Sequence, residues 1–301
     1  MSLFRETIAK WEDWGRVYQS IPAFGDLVRE IYRREGLSFA PLQHLTPGTN
    51  AVFRVGQTVA KVFFPIESGL DPCIDFTNES AVCRFLSERG VPTPKLLACG
   101  KIEDRYCFYY ILSEFVPGME AGDYLIAAST EEKERFVHSL KRILCKLNVP
   151  ADGLLPALDL RREAMENPRL AQLAPELQTE LRRRAEQADL SRPVLVHGDL
   201  TGENLLVQDD GNVVVIDCAD AHLAPAWYEY GPVVCELFRC DPAMTAVFAG
   251  EDKERFLSDL LDSIALHDFG PDLLRESAKR AGRPLFETFG EVEEFFAKLL
   301  F

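Results

Sequence analysis

The stretch VLVHGDLTGENLLV, residues 194–207, sets two apolar runs around a loop that carries His197, Asp199, Thr201, Glu203 and Asn204. A segment that only filled a core would not place so many polar side chains together, because each needs a partner once it leaves water. Short β-branched runs bounded by Gly and polar residues read as strands. Val194–Val196 therefore predicts one strand and 205–207 a second. QDDGN (208–212) reads as a turn, and the very apolar VVVIDCAD (213–220) as a third strand. The last two form a hairpin that delivers Asn204 from just before its first strand and Asp217 from the end of its second, both toward Asp199.

That combination suits phosphoryl transfer. One carboxylate orients an attacking hydroxyl and takes its proton, while an amide oxygen and a second carboxylate are hard ligands for Mg²⁺ on nucleotide phosphates. A free aspartate titrates near about pH 4, so Asp199 is ionised in the physiological range, and its part is more positioning than strong proton abstraction.

Composition bounds the rest. With 301 residues, 47% hydrophobic and 27% charged, the chain has enough apolar material for one large domain or two modest ones. A formal net charge of −15 repels nucleic acid and anionic membranes and attracts a cationic small molecule, although such acidity also serves solubility alone. The eight cysteines are scattered through apolar stretches and read as buried free thiols; Cys235 and Cys240 lack the second Cys or His pair of a zinc site. No secretory leader and no uncharged run of about 18 residues is visible, so a cytoplasmic protein is expected.

Residues 4–35 predict two helices broken near SIPAFGD (20–26) by Pro22 and Gly25. LQHL, NAVFRVG and TVAKVFF then read as strands joined by tight turns, followed by a helix over 77–90 with Thr77 as N-cap and Ala81, Val82, Phe85 and Leu86 inward. KLLACGKI (95–102) and RYCFYYILSEF (105–115) read as two more strands, after which the composition turns helical. The expected division is a helical segment at 1–37, a sheet-rich nucleotide-binding lobe at 38–115 and a mainly helical catalytic and substrate-binding lobe at 116–301, with a cleft between lobes as the ligand site. Within the small lobe, Lys61 sits mid-strand, where an unpaired ammonium is costly, and Glu79 on the next helix is its expected partner; an exposed edge-strand lysine is the alternative. The turn at Gly48, Thr49 and Asn50 is placed to cover phosphates.

HGDLTGEN (197–204) followed by VVVIDCAD resembles the catalytic segment of the aminoglycoside phosphotransferase and choline kinase-like family, relatives of protein kinases. The resemblance implies an α+β, two-lobed protein kinase-like fold, with a small antiparallel-sheet N-lobe holding one main helix and a larger, mainly helical C-lobe. It implies Asp199 as catalytic base, Asn204 and Asp217 as Mg²⁺ ligands, and Lys61 with Glu79 on the α- and β-phosphates beneath Thr49 and Asn50. YYILSEFVPG (109–118) is similar to the family's inter-lobe hinge, with the Ser113 carbonyl and Phe115 N–H on the purine and Leu112 lining its pocket. ATP is the implied donor, with GTP left open. There are departures: Gly198 stands where protein kinases carry arginine, Cys218 and Ala219 replace Phe-Gly, and in HLAPAWYEYG (222–231) Ala224 replaces the first acid while Pro225 and Glu229 remain.

The short connection after Asp217 leaves no room for a peptide-docking platform, so a small-molecule hydroxyl acceptor is expected. An aminoglycoside or related cationic antibiotic or metabolite would be met by Asp220 and Glu229, with Glu236 and Asp241 as further acids. Trp227, Tyr228 and Tyr230 either stack on a sugar or, more commonly at this spacing, fill core. The competing readings are a catalytically silent nucleotide-binding regulatory module and a protein kinase. Neither monomer nor dimer is specified.

Overall fold

Phe24, Leu27, Val28, Ile31 and Tyr32 recur at helical spacing and form the buried stripe of one helix, Ile21–Arg34. The computed structural model describes residues 2–301 and divides into two units, 1–88 with 93–117 and 89–92 with 118–301. In the first unit, α1 (Trp11–Val17) and α2 (Ile21–Arg34) precede β1 (Leu42–His44), β2 (Ala51–Val55), β3 (Thr58–Val62), α3 (Cys73–Glu88), β4 (Leu96–Glu103) and β5 (Cys107–Glu114). All strand pairs are antiparallel, in the order β1-β2-β3-β5-β4.

The strand expected over 213–220 stops at Val215, leaving Asp217 in the loop beyond it, and two helix starts also differ from the sequence reading. The break between the first helices falls at 18–20, and Pro22 lies in the first turn of α2, where its missing N–H costs no helical bond and the Ser20 side chain caps Ala23. Helix α3 starts at Cys73, so Thr77 lies inside it; the Asp71 carboxylate accepts the Cys73 N–H and supplies the start. The N-terminal helices share one core with the sheet: Phe4, Trp14, Phe24, Phe53 and Phe108 are fully buried together. Phe4 and Phe24 meet at 5.1 Å between ring centroids, as do Phe4 and Phe108.

In the second unit β6 (Met119–Glu120) leads into α4 (Ala121–Ala127), α5 (Thr130–Leu147), α6 (Leu160–Glu166) and α7 (Pro175–Gln187). Then come β7 (Val194–Val196), β8 (Leu205–Val207), β9 (Val213–Val215) and β10 (His222–Ala224). Strands β6, β8 and β9 form one small sheet, and β10 pairs with β7 in another. A 3₁₀ turn (Ala226–Glu229), a short α8 (Tyr230–Pro232) and a π-helical turn (Val233–Leu237) continue the chain to α9 (Pro242–Ala249), α10 (Lys253–Leu266), α11 (Gly270–Arg280) and α12 (Phe289–Ala297). Ser129 and Glu132 close a capping box at the start of α5. Leu260, Leu261 and Ile264 of α10 are buried at the centre of the helical packing. The segment 89–92 belongs here because Pro92 accepts the Val215 N–H and Gly90 accepts the Lys146 ammonium. Among the described residues no helix is long and apolar enough to cross a membrane.

The turn joining α10 to α11 is tight. A Cβ on Gly270 would lie 1.9 Å from the Ile264 carbonyl oxygen, a backbone atom that cannot swing aside. Gly270→Ala is therefore expected to destabilise the protein by about 2 kcal/mol or more, read as a lower denaturation midpoint at unchanged slope.

Candidate active site

The loop between β7 and β8 leaves the sheet ladder at His197, so its backbone groups must find partners elsewhere. His197 is 1% exposed. Its N–H donates to the Glu229 carboxylate, its Nδ1 accepts the Asp199 N–H at 3.3 Å, and its Nε2 meets the Ile216 carbonyl at 3.0 Å. An imidazole that accepts at Nδ1 presents its N–H at Nε2. His267, from the end of α10, repeats the pattern: Nδ1 accepts the Phe269 N–H at 3.1 Å and Nε2 reaches the Gly198 carbonyl at 3.0 Å. Burial lowers its pKa to about 3, so it holds the loop as a neutral donor. Tyr228 stacks on it at 4.7 Å.

Asn204 closes the loop. Its amide donates to the Asp199 main-chain carbonyl at 2.8 Å and to Asp199 Oδ2 at 2.7 Å, and its own carbonyl accepts the Ile216 N–H at 3.0 Å, one residue before Asp217. With the amide nitrogen committed to Asp199, Oδ1 is the atom left for a cation. Asp217 adopts φ +55°, a left-handed conformation that Asp tolerates better than most residues. Asp199 and Asn204 are thus brought together, and Asp217 follows the strand that pairs with Asn204's own. Gly198 also has a steric reason: at φ +83°, a Cβ would stand 2.2 Å from the Asp220 carbonyl oxygen, so arginine has no room there.

Asp199 is half-buried, and its carboxyl is pushed up to about 6, first by burial and then by the Asp220 carboxylate, with smaller contributions from Asp217 and Glu203 against the lowering Asn204 hydrogen bond. It lines a cavity of about 490 Å³ lying wholly within the second unit. Carboxylates dominate the wall: Glu120, Asp123, Glu203, Glu236 and Asp272 accompany Asp199, against Arg239 and Arg280.

Glu229 requires a correction. It was expected to meet substrate, but it is fully buried and not on the cavity wall. Its carboxylate accepts the His197 N–H; burial raises its pKa, opposed first by the His197 imidazole and then by the His197 and Gly198 N–H groups and the Asn148 amide. It anchors the loop from below. Asp220 is exposed but is likewise not a lining residue; its carbonyl accepts from the His222 ring at 2.8 Å. Of the four acids expected around a cation, Glu236 lines the cavity, while Asp241 caps α9 and pairs with Lys133 at 2.8 Å. Tyr228 and Tyr230 are core aromatics, Tyr230 stacking on Phe256 at 4.8 Å.

In the first unit Lys61 Nζ lies 2.7 Å from Glu79 Oε2, with both side chains less than a tenth exposed. Strand β3 and helix α3 supply the two partners, Lys61 standing opposite Val52 and Ile111 in the sheet. Thr49 is exposed and its carbonyl accepts the Trp14 indole N–H at 2.9 Å; Asn50 is buried, with its side-chain oxygen unpaired. Leu112 is buried opposite Ala60, and Ser113 stands opposite Val59. The Phe115 N–H does not face open space as the hinge reading required. It donates to the Gln57 carbonyl at 2.9 Å, because the β3–β5 ladder continues one step beyond β5.

Sequence reasoning missed His267, Asp123, Glu203 and Arg239. Glu203 lies inside the quoted loop, where a carboxylate next to Asn204 was a usable signal; the other three are distant in sequence and sit in no motif.

No curated protein matches the chain. Among solved structures, the GDP complex of wild-type aminoglycoside 2'-phosphotransferase-IIIa superposes with TM-score 0.63 at 19% identity, covering 93% of this chain and 98% of that one. A streptomycin-ATP ternary complex of APH(2")-IIa gives 0.60 at 14%, over 90% and 97%. Spectinomycin phosphotransferase APH(9)-Ia, with ADP and spectinomycin, gives 0.54 at 14%, over 90% and 93%. At these identities the likeness establishes the kinase-like fold. The sequence pattern of the phosphotransferase enzyme family matches residues 47–273, more than half of the chain, and with the Asp199–Asn204 loop it leads to one conclusion: the chain belongs to the phosphotransferase enzyme family and is a small-molecule kinase.

Proposed function

We propose that this kinase moves the γ-phosphate of ATP to a hydroxyl of a small molecule carrying positive charge, such as an aminoglycoside or a related antibiotic or metabolite. The observation that carries the reading is the Asp199 carboxylate, fixed by the Asn204 amide at 2.7 Å, on the wall of a cavity dominated by acids. Similar folds that hold streptomycin or spectinomycin together with a nucleotide support it; the GDP complex makes GTP the donor to compare with ATP.

Asp199 does two things in this scheme. Asn204 holds Oδ2, so Oδ1 meets the acceptor hydroxyl and orients its lone pair. As the oxygen–phosphorus bond forms and the bond to the departing diphosphate breaks, the hydroxyl proton passes to Asp199. A carboxyl already raised toward 6 is a better proton acceptor than a free aspartate while staying largely ionised at neutral pH. The backbone clamps from His197, His267 and Glu229 keep that carboxylate from drifting, and positional error of about 1 Å is costly in rate. Asn204 Oδ1 and the Asp217 carboxylate are the hard oxygens that would hold Mg²⁺, which when bound would neutralise charge on the phosphate oxygens. Two protein ligands suffice, because Mg²⁺ takes its remaining oxygens from phosphates and water. Lys61, held by Glu79, is assigned to the α- and β-phosphates.

Asp199→Asn is expected to lower kcat by about 10³-fold while nucleotide-dependent thermal stabilisation persists; undiminished turnover would remove Asp199 from the mechanism. Lys61→Met should weaken nucleotide binding and also destabilise the fold by about 3 kcal/mol, because Glu79 is left buried without its cation. Adding Glu79→Leu should restore the stability and not the nucleotide affinity. If the double variant recovers both, the pair is structural only.

A further inference from the structure

The charge on the cavity wall is not of one sign. Arg280 is internally satisfied, donating to the Cys235 carbonyl and to Glu236 at 2.6 Å. Asp272 is held by Arg169 at 2.7 Å and by Arg275 at 2.9 Å. Those pairs cancel. Among the described residues Asp123 and Glu203 have no cationic partner, and Arg239 has neither an ion pair nor a hydrogen bond, although all three line the cavity that holds Asp199.

Arg239 is also placed unusually. The π-helical turn Val233–Leu237 ends in two consecutive non-glycine residues with left-handed backbone, Arg239 at φ +54° and Cys240 at φ +59°. Such conformations persist where the surroundings over-determine them, and π turns recur at functional sites. The surroundings do so here. The Cys240 N–H bonds the Val234 carbonyl and the Asp241 N–H bonds the Phe238 carbonyl, both at 2.9 Å, and the Asp241 carboxylate is fixed by Lys133. Arg239, exposed on this braced turn, lines the cavity of an otherwise acidic protein.

Resting on the phosphotransfer reading, we infer that Arg239 receives an anionic group of the acceptor, and that the acceptor is zwitterionic: beside its hydroxyl it carries an ammonium for Asp123 and Glu203 and a carboxylate for Arg239. A polycation would place positive charge against Arg239, and a purely anionic acceptor would meet Asp123, Glu203 and Asp199. A molecule bearing both charges satisfies both walls, and a guanidinium takes a carboxylate with two parallel hydrogen bonds. Hydroxy-amino acids and carboxylated amino sugars belong to this class.

The test uses L-homoserine with 3-aminopropan-1-ol, which differ by a carboxylate, muramic acid with glucosamine, which differ by a carboxylate-bearing lactyl ether in place of the 3-hydroxyl, and kanamycin as the polycation. Binding to the full-length enzyme with Mg-ATP analogue is measured by calorimetry, and ATP consumption is measured in parallel. At least one zwitterion is expected to bind about tenfold more tightly than its amine partner. Arg239→Ala should erase that preference and Arg239→Glu should turn it toward kanamycin, while affinity for the nucleotide stays within about twofold. No binding by either zwitterion, a preference for the amines or kanamycin in the unaltered enzyme, or a preference that survives Arg239→Ala would overturn the assignment. So would a fall in turnover with unchanged acceptor binding, which would place Arg239 on the transferred phosphoryl group instead. A carboxylate preference that depends on Arg239 without any ATP consumption supports this inference and counts against phosphotransfer.

Discussion

A loop that carries a reactive carboxylate has to be rigid without the hydrogen bonds of a sheet, and residues 197–204 meet that constraint with side chains. Two imidazoles, a buried carboxylate and one amide account for main-chain groups of His197, Gly198 and Asp199. Each clamp comes from a different part of the second unit: His197 from the loop itself, Glu229 from the 3₁₀ turn, His267 from the end of α10 and Asn204 from the threshold of β8. The position of Asp199 is thereby a property of the packed helical unit as a whole. That is why a glycine at the α10–α11 turn, remote in sequence, bears on it through His267.

The same economy governs charge. The burial of Glu229 is offset in part by the His197 N–H on its carboxylate, and the neutral state of His267 avoids placing an imidazolium in a fully buried site. Lys61 and Glu79 solve the corresponding problem in the first unit by pairing. Among the described residues, Asp123, Glu203 and Arg239 on the cavity of Asp199 are left without an ion pair.

Much of the fold was legible because its signals are local. The strands AVFRV, TVAKV and CFYYILSE alternate or run apolar between turns, and each formed where its pattern predicted. Helix starts were less legible: Pro22 reads equally as a break or as a first-turn residue, and Asp71 competes with Thr77 as a start signal until packing decides. The Asp199–Asn204 pair was legible because both residues lie in one loop with fixed spacing. Glu229 was misread because an acid in a surface-like sequence, AWYEYG, gives no local sign that the chain will fold over it. His267 and Arg239 were invisible for a related reason. Their roles depend on where a helix ends and where a π turn reverses the chain, and neither leaves a periodic trace.

The connectivity of the two units has an evolutionary corollary. Because residues 89–92 are held by Val215 and Lys146 while their neighbours on both sides belong with the sheet, the polypeptide passes from one unit to the other three times. A gene fragment ending at residue 117 would carry Pro92 away from β9, the strand that precedes Asp217, and the remainder would begin without it. Neither half of a chain cut at residue 117 keeps the second unit whole, because residues 89–92 belong to it.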